Sequence, residues 1–297
     1  MVKFCFSERK GENRGYMKEF KKISLYCVPT PIGNLSDMSP RALEVLRTVD
    51  FIAAEDTRKS GILLKYFDVK KPMISYFEHN RKERGEIILK RLSEGEVCAL
   101  ITDAGTPAIS DPGEELVRQC IEMGLRVSSL PGPCAVTTAL SMSGLPTGRF
   151  CFEGFLSVVK NVREKHLASL EEERRTMVFY EAPHKLRDTL IDMYRHFGDR
   201  KISLVREISK IYEETKLTTL SEAARYYENN LPKGEFVLVV EGLAENKSQE
   251  IDREILSSEF EELVREGRTK SDASKILADR HGLRKRDIYE LFKNISI

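Results

Sequence analysis

The chain has no tryptophan, and its six cysteines (Cys5, Cys27, Cys98, Cys120, Cys134, Cys151) never fall in a C-x-x-C pair. That spacing offers no thiolate framework for zinc or iron–sulfur, so no metal is expected. Cysteines scattered through apolar stretches read instead as small buried hydrophobes in a reducing compartment. No apolar run approaches the roughly 20 residues that cross a bilayer. The opening "MVKFCFSERKGENRG" carries charge where a signal peptide needs an apolar stretch. A cytoplasmic protein with no membrane partner is expected. Neither sign of charge is in surplus: 48 Lys and Arg oppose 47 Asp and Glu, for a net +1 over 297 residues. Any nucleic-acid footprint must therefore be local. Two nucleotide signatures, G-x-G-x-x-G and G-x-x-x-x-G-K-[ST], are also missing.

What is present is a regular alternation. Residues 1–22 show no period and are expected to form a loose tail. From 23 to 133, short apolar runs read as strands: "ISLYCVP", "FIAAED", "PMISYF", "VCALITD" and "RVSSLPGP". Between them, "SPRALEVLRTVD", "RGEIILKRLSEG" and "GEELVRQCIEMG" carry helical stripes. In the first of these helices Ser39 is placed to cap and Pro40 suits the first turn. This pattern predicts an α/β domain with a mainly parallel sheet. From 134 to 243 a small-residue helix, "CAVTTALSMSG", leads into a second α/β domain. Its strands are "FCFEGFL", "TMVFYEAP", "KISLVREI" and "EFVLVVEG", with "LRDTLIDMYRHFG" and a charged stretch at 157–175 as helices. From 244 to 297 a polar linker precedes a helical module, read as two or three short helices around Gly282. Residues 265–297 hold nine basic and five acidic residues, net +4, and Arg284, Lys285 and Arg286 are adjacent. RNA contact is expected there.

Strands of open α/β sheets bind ligands beyond their carboxyl ends. Three such ends run into dense turn chemistry: "PTPIGNLSD", "DAGTPAISDPG" and "PGPCA". Glycine lets backbone approach a ligand and proline stiffens the loop. Two further strand ends carry polar clusters, "EDTRKSG" and "EHN".

The stretches "YCVPTPIGNLSDMSPRALEVLRTVDFIAAEDTRKSGILL", "ISYFEHN", "ALITDAGTPAISDPG" and "SSLPGPCAVTTALSMSGLP" resemble the tetrapyrrole methylase superfamily, in its branch acting on ribosomal RNA. "FCFEGFL", "VFYEAPHKL" and "VREISK" extend the likeness. The resemblance implies a two-domain α/β fold, with a mixed second sheet and S-adenosylmethionine in the cleft between the domains, as a homodimer. It also implies methylation of a cytidine ribose 2′-hydroxyl in the 16S rRNA of the small ribosomal subunit. Carried over with it are cofactor contacts at Asp103, Ala104, Gly105, Thr106 and Ile109, and at Pro31, Ala135 and Tyr180.

A ribose hydroxyl is a poor acid and is helped by a base within hydrogen-bond reach. The candidates for handling the ribose are Glu55, Asp56, Arg58, His79 and Asn80, with Glu181 and His184 ranked behind them. Arg58 suits a phosphate, which guanidinium grips with two bonds. Two other readings stay open: a tetrapyrrole C-methyltransferase, and a non-catalytic ribosome-assembly protein that binds RNA.

Overall fold

The computed structural model describes residues 22–244, 253–281 and 285–293. The expected tail up to residue 21, most of the linker, Gly282 and Arg284 lie outside the described residues. The described chain falls into two compact units. The first runs to Ser143 and takes in Leu204–Lys216 and Gly234–Val237; the second comprises Gly144–Ser203, Leu217–Lys233 and the chain from Leu238.

The first sheet is built by the apolar runs. Its strands are β1 (Leu25–Cys27), β2 (Phe51–Ala54), β3 (Met73–Ser75), β4 (Cys98–Ile101) and β5 (Val127–Ser129), in the order β3-β2-β4-β1-β5. Each pairing is parallel, with Tyr26 opposite both Ala99 and Ser128, and Ile52 opposite Ala99. Every residue of β2 and β4 is buried, because helices cover both faces; that is why these strands read as unbroken apolar runs. Alternate residues feed two cores. Ile52, Ala54, Ala99 and Ile101 pack with Ala42 and Leu46 of α1 (Pro40–Thr48) and Leu64 of α2 (Thr57–Tyr66). Phe51, Ala53, Cys98 and Leu100 pack with Ile88 and Leu92 of α3 (Arg81–Ser93) and Leu116 and Cys120 of α4 (Gly113–Glu122). Helix α5 (Ala135–Met142) follows β5. Ser39 caps α1 as expected, accepting from Ala42 N at 3.1 Å. The helices after β1 and β4 thus lie on opposite faces although these strands are neighbours. A crevice opens where adjacent strands diverge in this way.

The second sheet, which is mixed, has the order β6-β7-β10-β8-β9. Its strands are β6 (Phe150–Phe155), β7 (Thr176–Glu181), β8 (Lys201–Arg206), β9 (Glu214–Thr219) and β10 (Phe236–Val240). Helices α6 (Lys160–Ser169), α7 (Leu186–Phe197) and α8 (Leu220–Asn229) accompany it. Strand β6 runs parallel to β7, with a register shift at Phe152–Gly154. Three further helices, α9 (Arg253–Arg265), α10 (Lys270–His281) and α11 (Lys285–Phe292), form a cluster of their own around Phe260, Leu277 and Ile288. The rings of Phe260 and Phe292 lie 4.9 Å apart.

Three elements differ from the sequence reading. Helix α2 lies between "FIAAED" and "PMISYF", where the sequence reading has no helix; its first turn, within "EDTRKSG", is wholly polar. Strand β9, "ETKLTT", ends the order of its sheet and is mostly exposed, so no apolar alternation marks it. Helix α8 carries a capping-box signature, Thr219 with Glu222 three residues on, and Thr219 accepts from Glu222 N. Among the described residues no helix is long and apolar enough to cross a membrane. Burial pushes the Cys27 and Cys120 thiols up to about 11, which leaves them unreactive.

Two predictions follow from packing and charge. Leu46 is fully buried, and Leu46→Ala should lower unfolding stability by about 2–5 kcal/mol. Ile62, 74% exposed on α2, should tolerate alanine within about 0.5 kcal/mol. Chemical denaturation measures both. In the second unit His196 lies between Glu171 (2.7 Å) and Glu164 (2.6 Å), and hydrogen bonding to them raises its pKa above 6.5. A raised folded-state pKa gives stability that is complete below the unfolded value and is lost as pH rises through the folded one. Unfolding stability should therefore fall with pH above 6.5, and His196→Asn should flatten that slope in denaturation curves taken across the range.

Candidate functional site

The strand-end loops of the first unit are tied to one another. Thr30, fully buried just past β1, exchanges two backbone hydrogen bonds with Gly105: Thr30 N to Gly105 O at 2.9 Å, and Gly105 N to Thr30 O at 3.0 Å. Thr30 Oγ1 also donates to Thr102 O at 3.1 Å. Gly105 sits at φ 87°, and a Cβ there would approach Ile32 Cγ2 to 3.3 Å. Thr106 Oγ1 donates to Pro133 O at 2.8 Å, which joins the loop after β5. Glu55, at the end of β2, joins the fourth strand end: its Oε2 accepts from Thr102 Oγ1 at 2.6 Å and from Asp103 N at 3.3 Å.

The far end of the β4 loop is held by Asp111. Its carboxylate accepts from Ala108 N at 3.0 Å and from Gly113 N at 2.7 Å, and burial raises its pKa. These bonds hold Ala108 (φ 66°) and Ser110 (φ 62°) in left-handed backbone, with exposed Ile109 between them. Such conformations persist only where the surroundings over-determine them, and they concentrate at functional sites.

Beside these loops is a cavity of about 240 Å³ lined by Pro31, Ile32, Gly33, Leu35, Lys59, Ser60, Leu63, Thr102 and Asp103. Lys59 Nζ donates to Asp103 Oδ2 at 2.5 Å, and this bond raises the lysine pKa. Asp103 Oδ1 and Ser60 Oγ are buried there without a hydrogen-bond partner. A buried acceptor and a buried hydroxyl left unmatched are expensive in a closed fold, and together they suit a ligand that brings donors.

The candidates taken from the sequence divide. Pro31 and Asp103 line the cavity, Glu55 braces it, Gly105 and Thr106 tie the loops, and Ala104 is exposed on the same loop. Asp56 caps α2, accepting from Arg58 N at 2.9 Å, and it also pairs with the Arg58 guanidinium at 2.9 Å. These bonds hold its carboxyl down at about 2, which makes it a poor base. Arg58 is 88% exposed. His79 is exposed, edge-on to Phe77 at 6.2 Å. Asn80 spends its side chain on the local turn, accepting from Phe77 N at 2.8 Å and donating to Ser75 O at 3.2 Å. Ala135 opens α5. Tyr180 lies in the second unit, its ring 4.9 Å from that of Phe152 and 5.3 Å from that of Phe155. Glu181 is buried and accepts from Ala182 N and Thr189 Oγ1, at 2.8 and 2.5 Å, so it holds a turn. His184 is exposed.

A family model for tetrapyrrole (corrin/porphyrin) methylases matches residues 24–224. The chain is also 47% identical over 268 residues to ribosomal RNA small subunit methyltransferase I of Synechocystis sp., covering 90% of this chain and 96% of that protein. The chain belongs to the tetrapyrrole methylase family. The fold agrees. The methyltransferase CobJ superposes with a TM-score of 0.56 at 18% identity, over 75% of this chain and 95% of that one. A Thermus thermophilus uroporphyrin-III C-methyltransferase, solved with S-adenosylhomocysteine, gives a TM-score of 0.50 at 17% identity, over 73% and 96%.

For a member of this family, the cavity brings in residues that sequence reasoning passed over: Lys59, Ser60, Thr102 and Ile32. Lys59 and Ser60 lie in the first turn of α2, a helix that the sequence reading does not contain, so their shared direction was hidden. The nine-residue apolar and polar lining also mixes three segments far apart in sequence. The loop ties predict an effect on stability. Gly105→Val puts a branched side chain at a positive φ against Ile32. It should lower unfolding stability by about 1–3 kcal/mol in denaturant titrations. An unchanged midpoint would show that the bridge to Thr30 tolerates a side chain.

Proposed function

We propose that this chain transfers the methyl group of S-adenosylmethionine to the 2′-hydroxyl of a cytidine in the 16S rRNA of the small ribosomal subunit. What carries the reading is the near-full-length similarity to a protein named ribosomal RNA small subunit methyltransferase I. The first unit's site is compatible with it. The cofactor, when bound, supplies an electrophilic methyl group on a positively charged sulfur. Asp103 Oδ1 and Ser60 Oγ, buried without partners, would take its hydrogen-bond donors, and the Asp103 carboxylate would favour its positive charge. Pro31 and Ile32 would wall it, and the exposed Ala104 backbone lies alongside. At about 240 Å³ the cavity is smaller than the roughly 300–1,000 Å³ of a whole ligand pocket, so it would hold one part of the ligand.

Glu55, whose Oε2 braces Thr102 and Asp103, would take the proton of the ribose hydroxyl through its other oxygen, since Asp56 is held at about 2 by Arg58. Lys59, in the cavity lining, and Arg58, exposed in the same helical turn, would meet the phosphates flanking the target. Asn80, committed to its own turn, would act only by shaping the loop. The protein would work in the cytoplasm, where small subunits are made, and as a homodimer, as the superfamily resemblance implies.

Labelled methyl transfer tests the reading with three acceptors: small ribosomal subunits, free 16S rRNA and a tetrapyrrole precursor. Label is expected in RNA. Label only in the tetrapyrrole would sink the proposal, and label in none would favour a non-catalytic RNA-binding protein. Glu55→Gln should lower kcat by about 10²-fold or more and leave cofactor affinity nearly unchanged. Asp103→Asn should weaken cofactor binding by about ten-fold or more in calorimetry.

A further inference from the structure

The segment between β8 and β9 stands outside the cavity but is fastened to its wall. Glu207 and Ser209 adopt left-handed backbone, at φ 51° and 63°, which L side chains rarely do. The surroundings enforce it. Glu207 N donates to Glu235 O at 3.0 Å, and Glu235 N donates to Glu207 Oε1 at 2.9 Å. Lys210 Nζ donates to Glu207 and Glu235, each at 2.9 Å. Ser209 N donates to Glu213 Oε2 at 2.6 Å, and Ser209 Oγ donates to Asp37. On the other side Gly33 has no room for a side chain, since a Cβ there would lie 2.7 Å from Ile208 O. Gly33 lines the cavity and Asp37 ends the short 3-10 turn of the same loop. All of these residues belong to the first unit.

This rigid strut carries Ile211, 94% exposed, and Tyr212, 73% exposed. Strained backbone that is pinned this firmly and holds two apolar side chains in water is the signature of a functional contact. We propose that Tyr212, with Ile211 beside it, is a stacking platform for an unpaired base of the RNA strand whose nucleotide enters the site. The inference rests on the RNA-methyltransferase reading and names a specificity contact for it. Charge narrows the choice of occupant. At the foot of the strut Lys210 pairs with Glu207 and Glu235, and Arg206 with Glu214, so the charge there is close to balanced and gives an anionic lipid surface no net attraction, whereas the uncharged face of a base needs none. Area points the same way. Two side chains fall far short of the roughly 800 Å² per partner of a stable protein interface, but one ring matches one base.

The test compares Tyr212→Ala and Tyr212→Phe with the parent protein. Methyl transfer to small subunits is followed, together with binding of a single-stranded RNA oligonucleotide carrying 2-aminopurine, whose fluorescence is quenched by stacking. Tyr212→Ala should raise KM for the subunits by about ten-fold, the loss of one stacked base, and should abolish the quenching. Its kcat and cofactor affinity should hold. Tyr212→Phe, which keeps the ring, should restore KM and quenching. Parental KM and quenching in the alanine variant would overturn the inference and leave the methyltransferase reading intact. A shift in oligomeric state by light scattering, with quenching unchanged, would overturn it in favour of a self-association contact. A parent protein that neither binds nor methylates RNA would overturn the functional reading itself, and this inference with it.

Discussion

Two backbone hydrogen bonds between Thr30 and Gly105 hold the site in one piece. A parallel sheet places the ends of β1 and β4 side by side, but the helices that follow depart to opposite faces. The loops must therefore separate, and separation alone would leave an open, wet groove. The bridge closes the groove at its base, and it needs backbone at Gly105 that a side chain resists. The other ties build on it. Thr30 Oγ1 fixes Thr102, Thr106 fixes Pro133, and Glu55 reaches Thr102 and Asp103 from β2. Four strand ends are thus positioned by polar groups that are themselves held by the sheet, the condition for a preorganised site.

Against that frame the charges of α2 are placed in an unfavourable way. Helix N-termini favour anions, yet Arg58 and Lys59 occupy the first turn. Each is held by a carboxylate, Asp56 or Asp103. Asp56 repays part of the cost by capping the helix. Local helix stability alone would place acids in that turn, and departures from local consistency are expected where function imposes them. A pair whose arginine is as exposed as Arg58 is worth little, so Arg58 can change partner readily when an anionic ligand arrives.

Much of the fold was legible because burial writes itself into periodicity. The runs at 51–54 and 98–101 are unbroken because both faces of β2 and β4 are covered, and the stripe of α1 shows the face it buries. Strand β9 left no such trace, since an exposed edge has no core to satisfy. All of α2 was missed, because Asp56-Thr57-Arg58-Lys59 is polar on every side and hides the capped first turn from which the helix would be recognised. The site was legible only in part, for a related reason. Gly105 and Asp103 announce themselves by turn chemistry, but Ser60 and Lys59 reach the cavity through helix geometry and not through composition. Asn80 and Asp56 show a second local role beside the one expected of them. Both are polar residues at strand ends, as catalytic groups are, but their hydrogen bonds are spent on a turn and a cap.

The helical module after residue 252 extends the argument about charge from one turn to a whole element. Residues 265–297 carry net +4, but residues 253–264 add one base and four acids, so the whole module carries net +1, and several of its cations are already engaged. Arg265 pairs with Glu261, Arg280 with Glu259 and Lys293 with Glu290, while Arg268, Lys275 and Arg286 are exposed. Counting only the exposed ones would understate the attraction. The pairs lie on the surface, where each contributes between about 0 and 1 kcal/mol. Release of counterions from a nucleic acid rewards every phosphate that is neutralised. Exchanging Glu for phosphate would therefore cost little per cation, so the pairs now made do not by themselves bar a nucleic acid from this surface. The module also has its own core in Phe260, Leu277 and Ile288, so this charge is carried on a scaffold whose stability does not depend on the pairs being kept.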